Sequence, residues 1–188
     1  MAEQIATWKA EHANFLRLLD LLDAEVRLFH QGERPNYDLM LDILYYLIRY
    51  PDQFHHPKED AAMERLLRLE PGSRQLASEL ALEHKVIAES GNVLFEQLQG
   101  VVSGTVMPRA AVEGPAATYA AYYRQHMARE EADLFLRVEQ VLKPSDWAAV
   151  EEAVPTEKDP LFGQRTEERY EALHRQIVIA AGIGSTKS

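Results

Sequence analysis

Six ionisable side chains occupy positions where a helical bundle buries its apolar stripe. His12, His55, Glu59, His84, His126 and Glu130 each stand in register with hydrophobic residues spaced three and four apart. His55 with Glu59, and His126 with Glu130, have the form His-x-x-x-Glu, which projects both side chains from one helix face. An ionised carboxylate on a core stripe is costly unless something pairs with it. A pair of metal ions would do so, and the feature therefore constrains fold and chemistry together.

The stripes define four long helical segments. Ile5, Trp8, His12, Phe15, Leu19, Leu22, Val26 and Phe29 form the first, which Gly32 and Pro35 end. The second starts near Tyr37 and reads Leu41, Leu44, Ile48, His55, Glu59, Ala62 and Leu66, with a kink expected at Pro51 and Pro57. After Pro71-Gly72 the third reads Leu80, His84, Ile87, Gly91, Leu94, Leu98 and Val101. Gly91 on a stripe suggests close helix approach. The fourth runs from about Arg109 to Leu142, loosened at Gly114-Pro115, through Tyr119, Tyr123, His126, Glu130, Leu134 and Val141. Ser145 is expected to cap one short following helix, and Asp159-Pro160 to begin another that ends near Ala181. The fold class is thus all-α: an up-down-up-down four-helix bundle with one or two extra C-terminal helices. The bundle is assigned to residues 1–143, a packed helical extension to 144–181 and a disordered tail to 182–188.

The spacing brings the six residues to one level. His12 lies roughly 20 residues before the first turn and His55 roughly 20 after it. Glu59 and His84 lie about 12 residues either side of the second turn. His84 and His126 flank the third at about 20 and 17. A lone histidine on an apolar stripe is ordinarily a satisfied core residue, but scattered core histidines have no reason to converge. His56, about 100° around the helix from His55, is open between further ligand, supporting group and surface residue. Asp60 and Glu131 read as solvated or outer groups. His30 and His174 read as residues outside the site.

Composition narrows the rest. A formal net charge of -10 argues against nucleic acid or an anionic membrane as partner. The absence of cysteine removes disulfides, thiolate metal sites and iron–sulfur clusters. The start, MAEQIATWKAEH, has no signal-peptide pattern, and no apolar run approaches the roughly 20 residues of a membrane span. A soluble cytoplasmic protein is expected. Imidazole and carboxylate ligands suit iron, manganese or zinc. With shared carboxylates each ion keeps open positions, unlike a closed tetrahedral zinc site. Residues Leu39 to Tyr50 are apolar on more than one face, which leaves a surface for the last helix, with Leu173, Ile177 and Ile179, or for a homodimer.

The runs Phe54-His55-His56-Pro57-Lys58-Glu59-Asp60, Glu83-His84 and His126-Met127-Ala128-Arg129-Glu130-Glu131 resemble the hemerythrin-like HHE cation-binding domain, in order and spacing, over about residues 8 to 140. The resemblance implies a non-haem di-iron centre. His12 and His55 would bind one iron, His84 and His126 the other, and Glu59 and Glu130 would bridge them. Oxygen-carrying hemerythrins have two ligand histidines one turn apart on the third helix, whereas here Ala88 follows His84 by one turn. The chain is therefore similar to the four-histidine, two-carboxylate version. That version occurs in the F-box iron-sensing protein and in bacterial di-iron proteins that repair iron centres after nitrosative stress. The repair proteins carry a cysteine-bearing amino-terminal segment that this sequence lacks. The expected function is binding of, or reaction with, dioxygen, peroxide or nitric oxide in stress response. The alternative is iron sensing or handling without turnover.

Overall fold

A computed structural model describes residues 2–155 and 157–180. These residues are helical or irregular, with no strand among them. Helix α1 spans Ala2–His30, α2 spans Tyr37–Leu47 and α3 spans His56–Leu69. Helix α4 spans Arg74–Val102, α5 spans Ala110–Arg129 and α6 spans Phe135–Val141. The extension adds α7, Pro144–Ala153, and α8, Glu171–Ala180. None of these helices is long and apolar enough to cross a membrane.

Turn chemistry ends the rods where the sequence signals it. Gly32 and Gly104 hold positive φ values of 77° and 91°, a backbone state that glycine adopts without a Cβ penalty. In both turns the following residue donates back into the helix, Glu33 to the Leu28 carbonyl and Thr105 to the Gly100 carbonyl. These are Schellman closures. Asn36 caps α2 by accepting from the Leu39 amide.

Helices α2 and α3 are joined by a π-helical turn, Pro51–His55. Pro51 and Pro57 lack the amide that an α-helix would use, and His56 donates instead to the Pro51 carbonyl, five residues back. The expected kink takes this form. A second π-helical turn, Glu130–Leu134, joins α5 to α6 with no proline in it. Here Phe135 donates to the Glu130 carbonyl. The extra residue moves the buried stripe by one position, so that Phe135, Val138 and Leu142 are buried and Val141 is only half-buried. The stripe expected through Val141 is corrected accordingly.

Each rod packs against its neighbours. Helix α1 contacts α2 and α5, and α4 contacts α2, α3 and α5. Phe29 meets Tyr37 beside the first turn, and His12 meets His55 far from it. Two apolar clusters result, one around Phe15, Leu44, Leu94 and Tyr123, the other around Trp8, Leu66, Leu80 and Trp147. Five of the six ionisable residues lie between the two clusters in sequence, and His126 stands at the edge of the first, next to Met127.

The extension differs from expectation in detail. Lys143, not Ser145, is the N-cap of α7, with Pro144 in the first helical position and the Lys143 amide donating to Asp146. Asp159 does accept from the Leu161 and Phe162 amides, but a turn follows and not a helix. Pro115 does not interrupt α5. The excess apolar face of α2 is covered from within the chain: Tyr170, Leu173 and Ile177 join its cluster, and Tyr46 meets Tyr170 edge-on at 5.7 Å. Ile179 remains exposed. The expected tail 182–188, and Ala181, lie outside the described residues.

Candidate metal centre

Four rods contribute to one buried polar layer. His12 comes from α1, His55 from the end of the first π-helical turn and Glu59 from the first turn of α3. His84 comes from the middle of α4, His126 from the last turn of α5, and Glu130 opens the second π-helical turn. All six are buried, and the two glutamates are fully so.

The glutamates face both ways. Glu59 turns Oε1 toward His12 and His55, at 3.6 and 3.3 Å from their Nε2 atoms, and Oε2 toward His84 Nε2 at 3.6 Å. Glu130 turns Oε2 toward His12 Nε2 at 3.5 Å. Its Oε1 faces Nε2 of His84 and of His126, at 3.1 and 3.2 Å. Each carboxylate thus offers one oxygen to the His12–His55 pair and the other to the His84–His126 side. Such placement suits two bridging ligands between two positions. The His12 and His55 Nε2 atoms are 3.0 Å apart. A metal about 2.1 Å from two nitrogens at a right angle would separate them by about 3.0 Å.

Both Glu59 oxygens, Glu130 Oε2 and His126 Nε2 are buried without a hydrogen-bond partner. A buried polar atom without a partner costs about 1–3 kcal/mol, and more when charged. Nitrogen and carboxylate oxygen donors aimed at a common centre, several of them unsatisfied, fit a pair of metal ions. Ligand atoms of His12, His55 and Glu59 lie within 4.8 Å of one another, as do those of Glu59, His84 and Glu130 and those of His56, His84 and His126.

The outer nitrogens of the four histidines are held by a closed ring of acids. Glu11 on α1 accepts from His55 Nδ1 at 2.7 Å, and Asp60 on α3 from His84 Nδ1 at 3.0 Å. Glu83 on α4 accepts from His126 Nδ1 at 2.8 Å, and Glu131 from His12 Nδ1 at 3.0 Å, which returns the ring to α1. Each acid is the chain neighbour of one inner residue and serves a histidine on another rod. A proton on Nδ1 fixes the tautomer and aims the Nε2 lone pair inward. Asp60 and Glu131 thus act as outer groups. Nothing in the sequence marks Glu11 and Glu83 as partners beyond the fact that each directly precedes a stripe histidine.

Charge in this layer is redistributed by proximity. Burial disfavours the His55 cation, but Glu59 and Glu11 outweigh it and raise its pKa to about 10. Burial also opposes the His84 cation, and Asp60, Glu130 and Glu59 raise its pKa to about 12. His126 is raised too, against burial, chiefly by Glu130. Burial would keep Glu59 protonated, yet the His55 charge and three imidazole contacts hold its pKa well below the carboxylate range. Glu130 is lowered by His126 and His84 against burial and the charge of Glu59. Without metal, imidazolium cations take the place of metal charge.

His56 is buried, not on the surface. Its Nδ1 lies 3.1 Å from Asp52, and its Nε2 lies 3.4 Å from the Tyr123 hydroxyl. Burial, with the charges of His84 and His55, pushes its pKa well below that of free histidine. Burial raises Asp52 to about 7, the His84 charge opposing. His30 pairs with Glu113 at an exposed helix end, and His174 is half-buried on α8. Among the described residues neither belongs to a metal-sized group. The family model of the hemerythrin HHE cation binding domain matches residues 3–138. The comparison with curated proteins finds no match, and neither does that with solved structures.

Proposed function

The chain belongs to the hemerythrin HHE cation-binding domain family, and we propose that it is a non-haem di-iron protein that binds or reacts with dioxygen, peroxide or nitric oxide in oxidative or nitrosative stress defence. On this reading His12 and His55 would hold one iron, His84 and His126 the other, and Glu59 and Glu130 would bridge them. The observation that carries this reading is the divided orientation of the two glutamates, one oxygen to each histidine pair. The same reading takes the four rods as an up-down-up-down bundle, residues 1–143, with 144–181 packed on it.

Two irons bound there supply open coordination positions and one-electron chemistry for a small diatomic or peroxide ligand. The protein supplies the rest. The ring of Glu11, Asp60, Glu83 and Glu131 keeps each Nδ1 protonated and each Nε2 a lone-pair donor. Phe15 stands edge-on to His55 at 5.1 Å, and Phe135 stacks on His12 at 5.3 Å. Both rings are buried and pack apolar surface against the layer. Tyr123, its phenol pKa raised by burial, keeps its proton and has its hydroxyl at His56.

The test is bound iron per chain after anaerobic ferrous loading and desalting, with the absorption spectrum followed as air enters. Two irons and new near-ultraviolet oxo-to-iron bands are expected. Loss of the iron on desalting sinks the iron assignment and directs the test to manganese and zinc. A second reading, iron sensing or handling without turnover, is favoured by the deep burial of ligands drawn from four rods. It predicts two retained irons whose spectrum stays unchanged on addition of dioxygen, peroxide and nitric oxide.

A further inference from the structure

We propose that His56 is a fifth nitrogen ligand, joining His84 and His126, so that the two metal positions are unequal. This rests on the dimetal reading above and extends it to a residue that would otherwise be a buried histidine with no task.

Three observations carry it. First, His56 has the same outer support as the other four histidines: its Nδ1 lies 3.1 Å from a carboxylate, that of Asp52. With the proton held there, Nε2 is an unprotonated donor inside the layer. Second, its ring sits where a co-ligand's ring would sit. The His56 and His84 centroids are 4.4 Å apart, against 4.9 Å for His12–His55 and 4.8 Å for His84–His126. Donor atoms of His56, His84 and His126 lie within 4.8 Å of one another. Third, the backbone is shaped to bury both adjacent histidines. The π-helical turn between two prolines ends at His55, and His55 and His56 are 1% and 4% exposed. In an unbroken α-helix neighbours diverge by about 100°.

The competing role for His56 Nε2 is acceptance of the Tyr123 hydroxyl. That contact is long, at 3.4 Å, against 2.7–3.1 Å for the five contacts at Nδ1. A metal draws the lone pair away from it. One position then has three nitrogens and the other two, with the bridging carboxylates common to both.

The inequality is readable by Mössbauer spectroscopy of the iron-loaded, oxidised protein. The wild type should hold two irons per chain and show two unlike quadrupole doublets of equal area. His56→Gln should keep the fold and bring the doublets together, because both positions then have two nitrogens. Asp52→Asn leaves the imidazole in place, and should shift only one doublet and weaken the tighter iron by about 10- to 100-fold. Tyr123→Phe should leave both doublets in place. Two irons in a single doublet in the wild type overturn the inference alone, as does an unchanged spectrum in His56→Gln. If that variant does not fold, an unchanged spectrum in Asp52→Asn overturns it. A shift in Tyr123→Phe equal to that in His56→Gln assigns Nε2 to the hydroxyl and overturns it as well. Failure of the wild type to retain two metals overturns the dimetal reading itself.

Discussion

The two glutamates differ from the histidines around them in what their loss would leave behind. A histidine removed from one pair takes away one donor, whereas Glu130 offers an oxygen to each side. Glu130→Ala is expected to abolish two-metal binding, because the bridge goes and the remaining carboxylate cannot balance both charges. Metal content after loading and desalting checks this, with His174→Ala as the variant that leaves it unchanged. Two irons retained in Glu130→Ala would contradict the assignment. The outer acids act one step removed. Glu83 accepts from His126 and also from Arg129, whose second contact is Glu79. Glu83→Ala frees the His126 ring to turn and leaves Arg129 anchored at Glu79. Metal affinity should fall about 10- to 100-fold with the fold intact. Competition against a chromophoric chelator measures it, and wild-type affinity in that variant would show that the ring of acids does not aim the ligands.

Helix spacing sets how close these residues can come, and at Gly91 α4 lies close against its neighbours. A Cβ built there meets Ile48 Cγ2 at 2.7 Å and the Tyr119 ring at 3.1 Å. Ile48 is β-branched and buried, so its χ1 is restricted and its methyl gives way only at a cost. Overpacking of this kind costs about 1–3 kcal/mol, while alanine regains about 0.5–1 kcal/mol of helix propensity. Gly91→Ala should therefore lose about 1 kcal/mol net. Chemical denaturation of the metal-free protein reads this directly, and an increase in stability would mean that Ile48 and Tyr119 yield easily. This approach was legible in the sequence because the glycine falls on a stripe, and so were the stripes that converge on the six residues. The π-helical turns were legible only in part. Pro51 and Pro57 announced a kink, but nothing in Glu130–Leu134 signals an inserted residue, and the stripe beyond it was misplaced by one. The burial of His56 depends on the same kind of backbone adjustment, which a regular period of 3.6 cannot express. Cap positions failed for a related reason. Pro144, fixed in φ and without an amide, starts α7 before Ser145 can cap it. Glu11 and Glu83 went unrecognised because each serves a histidine on another rod, a relation that exists only once the rods are packed.

At the scale of the whole molecule, a polar layer divides the apolar core, and its charge balance decides when the fold holds. In the metal-free chain His55 and His84 have raised pKa values of about 10 and 12. A raised pKa means that the folded state holds the proton more tightly than the unfolded one. Their contribution is therefore complete below about pH 6.5 and is lost as pH rises through those values. Glu59 and Glu130 have lowered values, so their contribution is present above about pH 4.5 and is lost in acid. On the dimetal reading, metal would take over the role of the imidazolium protons and displace them, which couples loading to proton release. Iron uptake near pH 7 should acidify a weakly buffered solution, and apparent affinity should rise with pH through the range in which His55 and His126 titrate. The metal-free protein should lose thermal stability from about pH 6.5 upward, while the loaded protein, its cations being metal, should not. The gap between their melting temperatures should thus widen on the alkaline side. Parallel melting curves of the two forms across that range would show that the histidine protons do not balance the buried carboxylates. The unpartnered oxygens of Glu59 and Glu130 would then need another source of compensation within the bundle.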